Sequence, residues 1–277
     1  IEETRYGRFA VEIDSALLKT KAYETYLGKL GIQLSDFNFG RDVEEMIARI
    51  ASTVVPYEIV SPPIPMPELH VIEELKAALQ REKAMGSKAS LLYAFGLHLN
   101  PEVPSLHVDI LLNYLRAFLL LYEWIFKKSK IDFSRRITPF INEFPRGYKQ
   151  LVLTSSYQPA LGQLIDDYLA YNPTRNRPLD LLPLFAFIDE QKVLARATEK
   201  HLIKKRPAFH YRLPNCLIDE PTWSIAQEWD NWVEIENLAA APDKIGRMSE
   251  DLLRSMADPL GFLQESWPNR VEKWLRS

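Results

Sequence analysis

Acidic, imidazole and guanidinium side chains recur at alternate positions of four short segments whose patterns predict β-strands. The segments are residues 8–14, 57–60, 93–100 and 208–213. Successive side chains of a strand point to opposite faces, so that Phe9 and Val11 oppose Glu12 and Asp14. A solvent-facing sheet usually carries a loose mixture of Lys, Thr and Glu, whereas here the charged groups have small neighbours that leave room for a ligand. The pattern predicts a binding site on one face of a sheet.

A set of oxygen and nitrogen ligands from three of these strands predicts a divalent-cation site. The set is Glu12, Asp14, Glu58 and His98. Oxygen-rich sites suit Mg²⁺ or Mn²⁺ and tolerate one imidazole, whereas zinc usually requires more His or Cys. Acids at alternate strand positions are more often a solvated face, and a lone histidine is more often hydrogen-bonded scaffolding. Recurrence of the pattern on four strands favours the site.

Three arginines predict a phosphate-binding function beside that cation. Arg175, Arg177 and Arg212 each present a planar fork that suits phosphate oxygens. A carboxylate-bound cation together with arginines is the usual arrangement for handling a nucleoside triphosphate. The chain has no G-x-x-x-x-G-K-[ST] motif and only 10 glycines, so a P-loop is not expected. The competing interpretation of Arg175 and Arg177 is a solvated loop.

Length and composition narrow the class of protein. A chain of 277 residues with 47% hydrophobic content can bury a substantial core. The net charge of −3 gives no reason to expect nucleic acid or an anionic membrane as a partner. The single cysteine, Cys216, excludes an intramolecular disulfide, and together with the lack of an apolar run in residues 1–8 it predicts a cytoplasmic location.

The remaining segments predict an α+β fold in one domain, residues 1–277. Helices are predicted at 41–55, at 68–85, at 108–126 and from about Pro221. Residues 108–126 could be mistaken for a membrane span, but polar residues follow one side of the helix, which indicates a buried helix of a soluble protein. No internal repeat or flexible linker is present. Helices of uneven length separate the strands, which favours an antiparallel sheet with a concave charged face and helices on the other face.

Four motifs of this chain together resemble the bacterial amidoligase family, a relative of glutamine synthetase and glutamate–cysteine ligase. They are Tyr-Glu-Ile-Val-Ser-Pro-Pro at 57–63, Phe-Gly-Leu-His-Leu-Asn-Pro-Glu at 95–102, Asn-Pro-Thr-Arg-Asn-Arg-Pro-Leu-Asp at 172–180 and Phe-His-Tyr-Arg-Leu-Pro-Asn at 209–215. The resemblance covers essentially the whole chain in the right order. It implies a fold like the catalytic domain of glutamine synthetase, in which acidic strands and a histidine bind a divalent metal with ATP.

The resemblance also implies a reaction and a role for individual residues. The reaction is an ATP- and Mg²⁺-dependent joining of a small-molecule or peptide carboxylate to an amine through an acyl phosphate. The implied metal ligands are Glu12, Asp14, Glu58 and His98. The implied phosphate-binding residues are Arg175, Arg177 and Arg212, of which Arg177 and Arg212 join Glu58 as catalytic residues. The residues expected to contact substrate are Asn100, His210 and Asn215.

The chain departs from the family pattern at two positions. Many members have a glutamate where this chain has His210 and a second histidine where it has Asn100, which leaves the number of metal ions open. Members also tend to carry a further acidic strand upstream of the one at 11–14. Two other functions remain open, a metal-dependent amide hydrolase and a catalytically inactive binding module of the same fold. The hydrolase would not need the three arginines, and the inactive module would lose the charged face.

Overall fold

A computed structural model describes residues 3–13, 57–86, 96–130, 141–258 and 265–276. These residues form helices and short antiparallel strand pairs, which confirms the predicted α+β class. They fall into two compact units. Residues 1–95 and 217–223 make up the first unit, and residues 96–216 and 224–277 make up the second.

Two antiparallel strand pairs open the first unit. Strands β1 (Glu3–Thr4) and β2 (Gly7–Arg8) form a tight hairpin, in which Gly7 has a φ of 112° that favours glycine. Strand β3 (Ala10–Ile13) then pairs with β4 (Tyr57–Val60). The strand predicted at 57–60 is therefore present, and the strand predicted at 8–14 is present as Ala10–Ile13. Arg8 belongs to β2 instead, and Asp14 lies outside the described residues. The predicted helix at 41–55 lies outside the described residues.

One helix completes the described part of the first unit. Helix α1 (His70–Arg81) is shorter than the predicted 68–85, because a short 3₁₀ turn occupies Met66–Glu68 and the chain leaves the helix at Lys83, whose φ is 59°. Two of its side chains hold the segment 217–223. Lys76 Nζ donates to the carbonyl of Trp223 at 2.8 Å, and Gln80 Nε2 donates to the carbonyl of Glu220 at 3.2 Å.

The second unit is mainly helical. Its described elements are, in chain order, α2 (Val108–Lys128), α3 (Arg146–Leu153), α4 (Leu161–Tyr171), β5 (Leu179–Asp180), α5 (Leu182–Ile188), α6 (Glu190–Arg196), β6 (His210–Tyr211), α7 (Ile225–Ala239), α8 (Pro242–Ala257) and α9 (Trp267–Arg276). Helices α3, α7, α8 and α9 all pack on α2. Helix α2 is therefore the centre of the core.

The side chains of α2 confirm the predicted helix at 108–126 and its polar stripe. Asp109 and Glu123 are exposed, while Leu115, Phe118 and Ile125 are buried. In the part of the chain that the structure describes, no helix is long and apolar enough to cross a membrane. The long apolar stretch is buried because other helices surround it.

Helix α7 begins four residues after the predicted start near Pro221. Ser224 is its N-cap, and its hydroxyl accepts a hydrogen bond from the backbone N–H of Gln227 at 3.2 Å. The Gln227 side chain in turn accepts from the backbone N–H of Ser224. This reciprocal capping box satisfies two helix-end donors at once, an advantage that Pro221 cannot provide.

Short β-contacts connect the segments that carry the candidate site residues of the second unit. Strands β5 and β6 are antiparallel, and isolated bridges join Leu99 to Tyr211 and Gly96 to Asn215. The strand predicted at 93–100 is therefore represented by single bridges from residue 96 onward, and residues 93–95 lie outside the described part. The sheets of the described residues are three two-stranded pairs. The larger concave sheet stays a prediction.

Candidate active site

Two of the predicted metal ligands face each other in the first unit. The antiparallel register of β3 and β4 places Glu12 directly opposite Glu58, and both residues are exposed. Residues directly opposite each other in an antiparallel pair have Cβ atoms about 4.5–5.5 Å apart, and like charges in that position destabilise the pair. The hydrophobic side chains of the same strands are exposed too, at 51% for Val11 and 38% for Ile59. The predicted apolar face of this pair is thus not covered by described residues.

The pair of carboxylates fits a hard divalent cation. Mg²⁺ is usually held by one or two carboxylates, with water and phosphate oxygens as its other ligands. A cation between Glu12 and Glu58 would offset their mutual repulsion. Asp14 lies outside the described residues. Among the residues that are described, no three His, Cys, Asp or Glu side chains form a group that could hold a metal.

A buried carboxylate organises the candidate site of the second unit. Asp180 is at 0% exposure, and its Oδ2 accepts a hydrogen bond from Arg175 Nε at 3.1 Å. Nδ1 of His210 lies 3.1 Å from the same oxygen. Oδ1 accepts from the backbone N–H of Leu182 at 3.0 Å. Strands β5 and β6 create this arrangement because their register pairs Asp180 with His210.

Burial and the neighbouring charges shift the pKa values of His210 and Asp180. Burial lowers the pKa of His210 to about 4, and the positive charges of Arg212 and Arg175 add to that effect. Burial alone would raise the pKa of Asp180, but the hydrogen bond from His210 and the charges of His210, Arg175 and Arg212 lower it below its ordinary value. Asp180 is therefore ionised and His210 neutral near pH 7.

Arg212 and His98 complete the cluster. The Arg212 guanidinium donates to the carbonyl of Arg175, and its backbone N–H donates to the carbonyl of Pro178 at 2.9 Å. His98 is partly buried and meets His210 edge to face, with ring centroids 5.1 Å apart. The structure thus brings together four predicted site residues, namely His98, Arg175, His210 and Arg212.

Arg177 lies inside the protein. It is 8% exposed, and its Nε donates to Asn172 Oδ1 at 2.7 Å. Its terminal nitrogens donate to the carbonyls of Asn142 at 3.3 Å and Tyr171 at 3.4 Å. These bonds tie the loop at 172–178 to the segment before α3. Arg175 is similarly occupied, since its NH1 donates to the carbonyl of Leu202 at 2.6 Å in addition to the bond with Asp180.

The two predicted substrate-binding asparagines have different environments. Asn100 is exposed, and its Oδ1 accepts two hydrogen bonds from Arg206, at 3.1 Å from Nε and at 2.7 Å from NH2. Asn215 is buried at 1% exposure, and its amide donates to the carbonyls of Ser129 at 3.2 Å and Lys130 at 3.4 Å. Asn100 is therefore accessible to a ligand, whereas Asn215 holds the C-terminal end of α2.

Sequence reasoning placed Asp180 in a motif but did not identify it as a site residue. A signal for it is present in the sequence, because Asp180 stands alone in the apolar run Leu-Asp-Leu-Leu-Pro-Leu at 179–184. An ionisable residue in such a run is buried with its neighbours, and buried carboxylates are almost always paired. The identity of the partners could not be read from the sequence, because Arg175 and His210 come from separate segments.

Comparison with models of protein families shows to which family the chain belongs. The model of the family described as "Putative amidoligase enzyme" matches residues 1–234, which is more than half of the 277-residue chain. The chain belongs to this amidoligase family. Comparisons with curated proteins and with solved structures gave no match.

Membership of the amidoligase family confirms the resemblance inferred from the four motifs and indicates an enzyme of ligase type. The matched residues include both candidate clusters, the Glu12–Glu58 pair and the residues around Asp180. Helices α8 and α9 lie C-terminal to the matched range and pack on α2. They cover part of the core helix and contain no predicted site residue.

Proposed function

We propose that this protein is an ATP- and Mg²⁺-dependent ligase that joins a carboxylate to an amine through an acyl phosphate. The geometric observation that supports this most directly is the register of β3 and β4, which sets Glu12 against Glu58 on an exposed strand pair. Two adjacent carboxylates on neighbouring strands are a suitable site for a nucleotide-bound cation. The extended concave sheet of glutamine synthetase belongs to this proposal.

The residues of this chain have distinct roles in the proposed reaction. Glu12 and Glu58 would hold Mg²⁺, and the bound ion would supply neutralisation of phosphate charge. The substrate carboxylate attacks the terminal phosphorus of ATP, which forms the acyl phosphate and releases ADP. In the second unit, Arg212 offers a planar fork that suits phosphate oxygens. The acyl phosphate then reacts with the amine, which forms the amide and releases phosphate. Arg177 has a structural role, because each of its three nitrogens donates a hydrogen bond within the protein.

A metal-dependent amide hydrolase remains the second candidate. The observation that favours it is the internal engagement of Arg175 and Arg177, since a hydrolase does not need three arginines for phosphate. The two functions differ in their need for ATP. A ligase that works through an acyl phosphate forms a hydroxamate from hydroxylamine only when ATP is present, whereas a hydrolase cleaves amides without a nucleotide.

The test incubates the full-length protein with ATP, Mg²⁺, hydroxylamine and a panel of carboxylic acids. We expect at least one acid to give hydroxamate and ADP in equal amounts, and omission of ATP to abolish both. The Glu58→Gln variant is the matched control, because it keeps the shape of the side chain and removes its charge. Nucleotide-independent cleavage of the corresponding amides, with no ATP-dependent hydroxamate, would overturn the ligase in favour of the hydrolase.

A further inference from the structure

The side-chain amide of Asn100 has a fixed orientation. Its Oδ1 accepts a hydrogen bond from Nε of Arg206 at 3.1 Å and a second one from NH2 of the same residue at 2.7 Å. A guanidinium can only donate, so the atom that faces it must be the amide oxygen and not the amide nitrogen. Arg206 is itself held, because its NH1 donates to the carbonyl of Lys204 at 2.9 Å and its backbone N–H donates to the carbonyl of Pro183 at 3.1 Å. The amide nitrogen of Asn100 is therefore directed away from Arg206.

The amide nitrogen of Asn100 is open to a ligand. Asn100 is exposed, and within the part of the chain that the structure describes its Nδ2 donates to no protein group. Backbone hydrogen bonds fix the residues on both sides. The N–H of Leu99 donates to the carbonyl of Tyr211 at 3.0 Å, and the carbonyl of Pro101 accepts from the N–H of Phe209 at 2.9 Å. The protein thus presents N–H donors at a fixed place, which suits an oxygen acceptor.

The segment that supplies Arg206 is basic. Residues 200–206 contain no acid and four cationic side chains, namely Lys200, Lys204, Lys205 and Arg206. The three lysines are exposed. Two exposed acids lie nearby, Glu190, which pairs with Lys205 at 2.6 Å, and Glu102, whose backbone forms a bridge with Ala208. The cations outnumber these acids, so the local charge favours an oxygen acceptor that carries a negative charge.

We propose that Arg206 is a positioning residue, which holds Asn100 with its amide nitrogen outward so that Asn100 donates a hydrogen bond to an anionic oxygen of a substrate. This inference rests on the proposed ligase function, in which that oxygen belongs either to a carboxylate of the acid or to a phosphate of ATP. Asn100 and Arg206 both belong to the second unit. The inference adds to the site a residue that lies outside the four motifs.

Steady-state kinetics of Asn100→Asp test the donor. The variant keeps the shape of the side chain and an oxygen for Arg206, but a second oxygen replaces the amide nitrogen and repels an anionic ligand. With an acid that gives ATP-dependent hydroxamate, we expect one KM to rise about 10- to 100-fold, the value of a hydrogen bond to a charged group. A higher KM for the acid identifies the carboxylate as the ligand, and a higher KM for ATP identifies the phosphate. Two unchanged KM values would overturn the proposal.

Asn269→Asp is the matched control. Asn269 is an exposed asparagine of the same unit, and its Oδ1 accepts from Nζ of Lys127 at 2.8 Å. The substitution therefore places the same new charge beside a cation on helix α9. We expect both KM values to stay at their native level. An equal rise in Asn269→Asp would assign the effect to the added charge and would overturn the contact at Asn100.

Two substitutions of Arg206 test the positioning role. Arg206→Lys still offers only donors, so Oδ1 of Asn100 should stay turned toward it and the KM should remain close to the native value. Arg206→Gln offers a donor and an acceptor, so the amide of Asn100 can turn over and the competent orientation is only fractionally populated. We expect the KM affected in Asn100→Asp to rise at least about twofold. Lys200→Gln removes one charge from the same segment and is the control for charge alone. Equal effects of Arg206→Lys and Arg206→Gln, or of Arg206→Gln and Lys200→Gln, would contradict the positioning role.

Nuclear magnetic resonance tests the contact without turnover. In protein labelled with ¹⁵N-asparagine, the side-chain amide signals that disappear in Asn100→Asp assign Asn100, and those that disappear in Asn269→Asp assign the control. Titration with the panel of carboxylic acids and, separately, with ATP and Mg²⁺ should shift the Asn100 amide protons to saturation and leave those of Asn269 unchanged. Absence of a shift with every acid and with ATP would overturn the proposal.

Failure of this inference and failure of the proposed function are distinguishable. If no acid gives ATP-dependent hydroxamate, the ligase fails, while the titration still decides whether Asn100 binds an anionic oxygen. If hydroxamate forms and Asn100→Asp leaves both KM values unchanged, the ligase stands and this inference fails. If Asn100→Asp does not fold, the Arg206 variants and the titration of the native protein decide the proposal.

Discussion

At the scale of single residues, three arginines that look alike in sequence have different environments. Arg175 and Arg177 are two positions apart in one loop, yet Arg175 binds the buried carboxylate of Asp180 and Arg177 binds an asparagine and two carbonyls. Arg212 lies on the segment after β6 and donates to the carbonyl of Arg175. The three internal acceptors of Arg177 therefore indicate a structural role for this arginine.

This difference predicts opposite effects of two Arg→Lys substitutions. Arg177→Lys should lower the free energy of unfolding by about 1–3 kcal/mol, because a lysine cannot reach three acceptors, and kcat should change little. Arg212→Lys should instead lower kcat by about 10²–10³, because a point charge does not reproduce the planar fork. Urea unfolding and initial rates of both variants provide the measurement. A large loss of kcat at unchanged stability in Arg177→Lys would return Arg177 to the phosphate site.

The opposed carboxylates predict a loss of ligand-dependent stabilisation when one of them is neutralised. Native protein with Mg²⁺ and ATP at a hundredfold excess over Kd should be stabilised by about 2.7 kcal/mol. Glu58→Gln should lose most of this stabilisation, since it removes half of the charge that holds the ion. Thermal melts with and without Mg²⁺–ATP measure the effect. Glu74→Gln, an exposed acid of α1, is the control and should keep the full stabilisation.

At the scale of elements, the first residue of helix α7 is determined by its N-cap more than by the hydrophobic pattern. The start of α7 is fixed by the reciprocal bonds of Ser224 and Gln227. Ser224→Ala should lower the free energy of unfolding by about 1 kcal/mol, because a helix-end N–H loses its acceptor. Chemical denaturation measures the change, and Ser224→Thr should restore most of it. Equal stability of the alanine variant and the native protein would show that the cap contributes nothing.

At the scale of the whole molecule, the buried His210 predicts a loss of stability in mild acid. Its pKa falls from an ordinary 6.5 to about 4 in the folded protein, chiefly through burial. Between these two pH values the unfolded chain binds a proton that the folded protein does not, so the free energy of unfolding decreases as the pH falls from about 6.5 to 4. Asp180 extends the loss to lower pH, because its folded pKa lies below its ordinary value.

Urea unfolding at a series of pH values measures this dependence. His210→Asn removes the titrating group and should flatten the profile between pH 6.5 and 4, the interval set by the histidine. His201→Gln replaces an exposed histidine of the same unit and should leave the slope as it is in the native protein. A slope that survives in His210→Asn would assign the acid sensitivity to another group.

The amino-acid sequence predicted the α+β class, the family and the positions of helices α1, α2 and α7 and of strands β3, β4 and β6. Helix α2 and strand β4 lie where the hydrophobic periodicity predicted, because burial of one side of an element leaves a regular record in the chain. Only the tertiary structure decided the partners of each polar group. Asp180 meets Arg175 and His210 because strand register and loop path bring separate segments together, and periodicity carries no information about that pairing. The tertiary structure also decided burial. It buries Arg177, which donates to Asn172 inside the protein, and it leaves Asn100 exposed to a ligand.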